Sequence, residues 1–170
     1  KTNVYNIELD DFPFLLYIIR RLFKMDVNND KILKILNVYS NDLLTYFPLF
    51  QQQRIFYLWG ISNIKIISHD YRFEAHIEQL IDMISIEQLR NEIIISNPYF
   101  KTGIASTMFF IKELKELLSI EKLDSIQILL SEQLKNSFIW NKLKNSDIYF
   151  EANSGLISGF GIIVMLLDCK

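Results

Sequence analysis

The sequence predicts an all-α fold of stacked helix pairs, and three observations predict it. The 170 residues hold only five glycines and three prolines, too few for the tight turns of a β-sandwich or barrel. Apolar residues recur at spacings of three and four along several stretches, the period of an amphipathic helix. The glycines themselves fall into three similar contexts, and each of the two intervals between them holds an apolar stretch and then a more amphipathic one. The length fits one helical-repeat domain over residues 1–170, with half of the residues hydrophobic and able to fill a sizeable core.

The elements follow in chain order. Asp10 and Asp11 stand before Phe12-Pro13, where proline suits the first turn of a helix. They read as a cap and a first-turn acid rather than a catalytic pair. The run Phe14–Met25 ends in Arg20, Arg21 and Lys24, cations that suit a helix C-terminus. Asn28 and Asn29 can cap a second helix with an apolar face of Ile32, Leu33, Ile35, Leu36 and Val38. Leu43, Leu44 and Phe47 extend that face, and Pro48 forces a break. A third segment runs from Phe50 towards Leu58. The β-branched stretch Ile61–Ser68 after Gly60 fits either helix or strand. A helix from Arg72 to Ser85 carries Phe73, His76, Ile77, Leu80, Ile81 and Ile84 on one face. Ser85 then starts a short helix to Ile95, and Asn97-Pro98 marks a turn.

From Thr102 to Leu118 the helical signal is strongest. Its first half is apolar nearly all round and its second half carries Lys112, Glu113, Lys115 and Glu116, so it starts buried and ends in solvent. Ser119–Asn136 reads as the returning helix, with Leu123, Ile126, Leu129, Leu130 and Leu134 on one face. A short helix over Ser137–Leu143 and a last one over Gly155–Asp168 complete the chain.

Composition excludes several function classes. The net charge is −2 with both signs dispersed, so no basic stripe offers itself to nucleic acid. One cysteine, Cys169, excludes an intrachain disulfide framework and every Cys-rich zinc module. The longest uncharged stretch, Ala152–Leu167, has 16 residues, short of the roughly 20 that a spanning helix needs. Lys1–Asp11 lacks the apolar run of a secretory signal, so a cytoplasmic location is expected, with any membrane association made through partners.

The glycine contexts are Trp59-Gly60-Ile61-Ser62, Thr102-Gly103-Ile104-Ala105-Ser106 and Ser154-Gly155-Leu156-Ile157-Ser158-Gly159-Phe160-Gly161, which together hold all five glycines. Small residues at the start of an inner helix let neighbouring backbones approach closely. Gly60, Gly103, Gly155 and Gly159 are therefore expected as structural glycines of inner helices. A glycine ending the preceding helix is the competing reading.

These residues resemble a family. Gly155-Leu156-Ile157-Ser158-Gly159 with Ile162–Leu167 resembles the last inner helix of the LanC lanthionine synthetase cyclases. Ile94–Gly103 resembles their segment leading into a Cys-His-Gly motif. Phe56-Tyr57-Leu58-Trp59-Gly60 resembles the stretch that holds their Trp-Cys-Tyr-Gly motif. The three occur in order over about residues 50–168.

The resemblance implies an α/α toroid, of which this chain is the C-terminal part. Its apolar edges then need the missing half or another protein chain. It implies lantibiotic biosynthesis, in which a peptide cysteine adds to a dehydrated Ser or Thr and zinc lowers the thiol pKa. The zinc ligands are not retained. Leu58 stands where the family has its first cysteine, and Lys101 and Thr102 stand where it has the Cys-His pair. Leucine has no donor atom, a cationic lysine repels the metal, and threonine is rarely a zinc ligand. No zinc or other cofactor is therefore expected. Arg54 stands where the resemblance places an active-site arginine and is the one catalytic candidate. The stretch Gly159-Phe160-Gly161-Ile162 is one residue shorter than the family pattern. The expected function is a cyclase-like protein without thioether cyclase activity that holds a modified precursor peptide or a partner enzyme. A helical-repeat interaction module unrelated to peptide modification is the alternative.

Other chemistry is sparser. His69 and His76 are seven apart with Asp70 and Glu74 between them, but a solvated or capping histidine is the preferred reading over a metal site. Cys169 lacks a placed general base. No Gly-x-Ser-x-Gly elbow, Walker loop or dinucleotide fingerprint occurs. Phe47, Phe50, Phe56, Tyr57 and Trp59 read first as core and second as a peptide-binding surface.

Overall fold

The computed structural model of the chain describes residues 12–68, 70–93 and 104–136. Among them the protein is all-α, with seven helices and no strand. No helix among the described residues is long and apolar enough to cross a membrane. The chain divides into two compact units, Lys1–Ile84 and Ser85–Lys170.

The first unit holds four helices. Helix α1, Phe12–Lys24, places Pro13 in its first turn, where a missing N–H costs nothing. Helix α2 spans Asn29–Thr45. Asn28 occupies its N-cap position in the left-handed region, and its side chain makes no capping bond there. The local bond is instead from Asn29 Nδ2 to Asp26 Oδ1, 2.7 Å. Asp26 also has positive φ, so two short polar residues turn the chain between α1 and α2 without glycine. Tyr46 ends α2 in extended conformation, two residues before Pro48.

Helix α3, Gln51–Lys65, runs straight through Gly60. The stretch after Gly60 is thus helix, not strand, as far as Lys65. Two side-chain bonds fold back along it, from Ser62 Oγ to the Leu58 carbonyl and from Asn63 Nδ2 to the Trp59 carbonyl, each 2.7 Å. They satisfy polar groups that the buried segment could not otherwise hold. Helix α4, Arg72–Asp82, ends three residues before the expected Ser85. Ser85 is instead the N-cap of the next helix. Asp70 prepares the start of α4 by accepting the Arg72 backbone N–H at 2.9 Å.

Helix α3 is the centre of this unit, with α1 and α4 packed on it. Trp59, 1 % exposed, lies against Phe14, Tyr17 and Phe56, with ring centroids 5.7, 5.2 and 6.0 Å away. Helix α4 lays Phe73, His76, Ile77, Leu80 and Ile81 inward at helical spacing.

The second unit contains α5, Ile86–Glu92, α6, Ile104–Leu117, and α7, Glu121–Lys135. Ser85 caps α5, its hydroxyl accepting from the Gln88 N–H. Helices α6 and α7 pack as a pair. The buried side chains of α7 are Leu123, Ile126, Leu129, Leu130 and Leu134, the stripe expected from spacing. Helix α6 is buried at Ile104, Met108, Phe110 and Ile111 and exposed at Lys115 and Glu116. Lys115 pairs with Asp124 at 2.5 Å and donates to Gln127 at 2.7 Å, joining the wetter ends of the two helices.

The expected turn at Asn97-Pro98, the short helix over Ser137–Leu143 and the last helix over Gly155–Asp168 lie outside the described residues. So do the caps Asp10 and Asp11.

Candidate functional site

The expected site residues that the structure describes lie on α3 and α4. Leu58 points into the core with no exposed surface. It is a packing residue of α3, at the position where the resemblance places a zinc thiolate. Lys101 and Thr102 lie outside the described residues.

Arg54 is 6 % exposed, and its guanidinium is committed to main-chain oxygens. One terminal nitrogen donates to the Met83 carbonyl at 2.6 Å. The other donates to the Pro48 carbonyl at 2.7 Å and to that of Leu49 at 3.4 Å. Met83 is the C-cap of α4, and Pro48 and Leu49 lie in the connection between α2 and α3. A planar fork with fixed donors suits this task, because three carbonyls from two segments need donors at once. Chemically, Arg54 is a clamp between the 46–50 connection and the end of α4.

Gly60 is the tenth residue of α3, so it marks neither a helix start nor a helix end. Its φ is not positive. What requires glycine is the neighbour: a Cβ there would lie 2.6 Å from Pro13 Cα and 2.7 Å from Pro13 Cβ. Helix α1 crosses α3 at this point with its backbone against the glycine. Three residues on, Asn63 Oδ1 accepts from Arg20 at 2.6 Å, fastening the same pair of helices a second time. Gly103, Gly155 and Gly159 lie outside the described residues.

His76 is not a solvated histidine, because it is 3 % exposed. The apolar stripe of α4 carries it inward with Phe73 and Leu80. Its ring meets Phe47 edge-on at 4.7 Å and Tyr57 at 6.3 Å. Burial lowers its pKa, and a hydrogen bond with the Tyr46 main chain opposes that shift. Nε2 has no hydrogen-bond partner. His69 and Cys169 lie outside the described residues. No group of three His, Cys, Asp or Glu side chains able to hold a metal occurs among the described residues.

The aromatic set divides. Tyr57 and Trp59 are core, each 1 % exposed, whereas Phe50 is 59 % exposed. Tyr57 adds a polar function that spacing did not reveal. Its hydroxyl donates to the Leu43 carbonyl at 2.7 Å, one of the α2 carbonyls left without a helical donor. Burial, and then the neighbouring Tyr46, push its pKa well above the usual tyrosine value. Arg20 and Asn63 were also missed as a pair, although an asparagine four residues after Trp59 in an apolar helix is a signal that it needs an internal partner.

No family model matches the chain, and neither a curated protein nor a solved structure matches it.

Proposed function

We propose that the chain is a lanthionine synthetase C-like protein of lantibiotic biosynthesis that binds a modified precursor peptide or a partner protein and does not form thioether rings. In this reading it is the C-terminal part of an α/α toroid and works in the cytoplasm. Three segments resembling the family in order motivate it, and one observation carries the non-catalytic part. Leu58, at the position of a zinc thiolate, is a hydrocarbon side chain with no exposed surface. A metal there would need a donor atom where the core has only carbon. Arg54 supports the same reading, since its terminal nitrogens serve three backbone carbonyls rather than a substrate.

The binding part draws on exposed apolar residues of the first unit. Ile18, Leu22 and Met25 are 51, 39 and 71 % exposed, and Ile35 and Val38 of α2 are 51 and 73 % exposed. Such side chains support a partner that covers them.

The test has two parts. Metal analysis of the purified protein is expected to find no stoichiometric zinc. Mixing with a dehydrated peptide that carries a free cysteine is expected to leave its count of alkylatable thiols unchanged, while the peptide is retained by the protein. One zinc per chain, or a falling thiol count, overturns the non-catalytic reading. No affinity for such a peptide, with a different protein held instead, favours the unrelated interaction module.

A further inference from the structure

His76 is the buried ionisable group that the proposed function does not use, and its surroundings are specific. It sits on the inner stripe of α4, and its ring meets the connection between α2 and α3 at Phe47 and helix α3 at Tyr57. The Phe47 ring lies 4.7 Å away, and the Tyr46 main chain accepts a hydrogen bond from the imidazole. Nε2 is enclosed and unpartnered. On the outside the same connection presents apolar surface. Phe47 is 36 % exposed, Leu49 84 % and Phe50 59 %. Phe47 also walls a surface depression with Gln79, Asp82 and Met83, so the same ring borders both that depression and the His76 imidazole.

We propose that His76 is an acid-operated latch: a proton from solvent taken up at Nε2 releases Phe47 and the Tyr46 end of the connection from α4, while the Arg54 clamp goes on holding Pro48 and Leu49. The physical reason is the cost of a second N–H. A neutral ring needs one acceptor and has it at Tyr46. The imidazolium needs two acceptors and carries a charge into an aromatic enclosure.

The ionisable groups that the packed elements bring to this end of the unit do not supply the second acceptor from within. Tyr46 comes from the connection and Tyr57 from α3; the Tyr57 hydroxyl is oriented to donate to Leu43, and Nε2 of His76 has no hydrogen-bond partner in this packing. Arg54 of α3 is itself cationic and tied to the same connection. Asp42 of α2 and Glu74, Glu78 and Asp82 of α4 are exposed. Outward rotation towards those carboxylates is the way a charged ring finds an acceptor, and it takes the ring away from Phe47.

The sign follows from the depressed folded pKa. The neutral ring is fully favourable above the ordinary histidine value of 6.5. As pH falls below that value the unfolded chain binds the proton first, so stability drops until the folded pKa is reached.

The experiment compares the wild type with His76→Asn, whose side-chain amide can still donate to Tyr46 but does not titrate. Between about pH 7.5 and about pH 5, the wild-type unfolding constant is expected to rise more steeply than the variant's, by up to about tenfold per pH unit, the limit for one proton. In parallel, NMR of the wild type follows the His76 ring protons, assigned with the help of His69→Gln, and the cross-peaks between the Phe47 and His76 rings. Those cross-peaks are expected to fade as His76 titrates. Cross-peaks that persist through its titration, or identical acid profiles for wild type and His76→Asn, overturn the latch. The NMR arm needs no substitution at His76, so a poorly folding variant does not spare the proposal.

Discussion

Helices α3 and α7 have 15 residues each, yet they are built differently. Helix α7 buries five side chains, all of them leucine or isoleucine, in one stripe. Helix α3 buries eleven residues, and Gln51, Arg54, Ser62 and Asn63 are among them. A one-sided helix needs only an apolar face against its neighbour. A helix enclosed on most sides must find a partner for every polar group it carries inward, because an unmet group costs about 1–3 kcal/mol. In α3 the side chains of Ser62, Asn63 and Arg54 have such partners: the carbonyls of Leu58 and Trp59 one turn back, Arg20 from α1, and the carbonyls of Pro48, Leu49 and Met83. The lesson is that buried polarity, not hydrophobicity, distinguishes the central helix.

Substitutions at four positions separate the two designs. The largest effect is expected for Leu130→Ala in α7. Leu130 has no exposed surface, and its truncation leaves a cavity, so a loss of about 3 kcal/mol is expected by chemical denaturation. Arg54→Met comes next, at about 2–3 kcal/mol, since it strips the buried Pro48 carbonyl and the half-buried bonds at Met83 and Leu49 of their donor while relieving the burial of one charge. Arg54→Lys is expected to recover little of that loss, because an ammonium on a flexible stem cannot span both segments. A full recovery by lysine would show that charge alone matters there.

Gly60→Ala tests the crossing of α1 and α3. An ordinary helix gains up to about 1 kcal/mol from this change. Here the added Cβ meets the Pro13 backbone at 2.6 Å, so the expected net result is a loss of about 1–2 kcal/mol. A gain in melting temperature would mean that α1 moves aside freely. The smallest effect belongs to the outer face of α7. Ile128 is 60 % exposed, and Ile128→Ala is expected to stay within about 0.5 kcal/mol of wild type. A larger loss there would show that α7 is covered on two sides, as α3 is.

Legibility in the sequence tracks the same contrast. The stripe of α7 could be listed residue by residue from spacing, and so could that of α4, His76 included. The place of Ser85 was readable too, since a serine followed three residues later by the glutamine N–H it accepts is a local arrangement. The candidate site was less legible. Arg54 stood out through a resemblance, but its hydrogen bonds reach residues 5, 6 and 29 positions away. No local pattern announces such partners. Gly60 was recognised as a residue where backbones approach, yet its place within the helix was not. An apolar run with a glycine inside it looks alike whether the helix begins there or continues.

The sequence by itself determined the all-α class and the inward faces of the amphipathic helices. Scarce glycine and proline remove turns, and the spacing of apolar residues fixes which side of a helix leaves water. Tertiary structure alone decided what the polar residues of the first unit do. It turned Arg54 into a clamp, Tyr57 into a cap for α2 and Asn63 into the partner of Arg20, and it closed Phe47 over His76. These roles depend on which segments meet, and a hydrogen-bond donor contains no record of the acceptor that folding will bring to it.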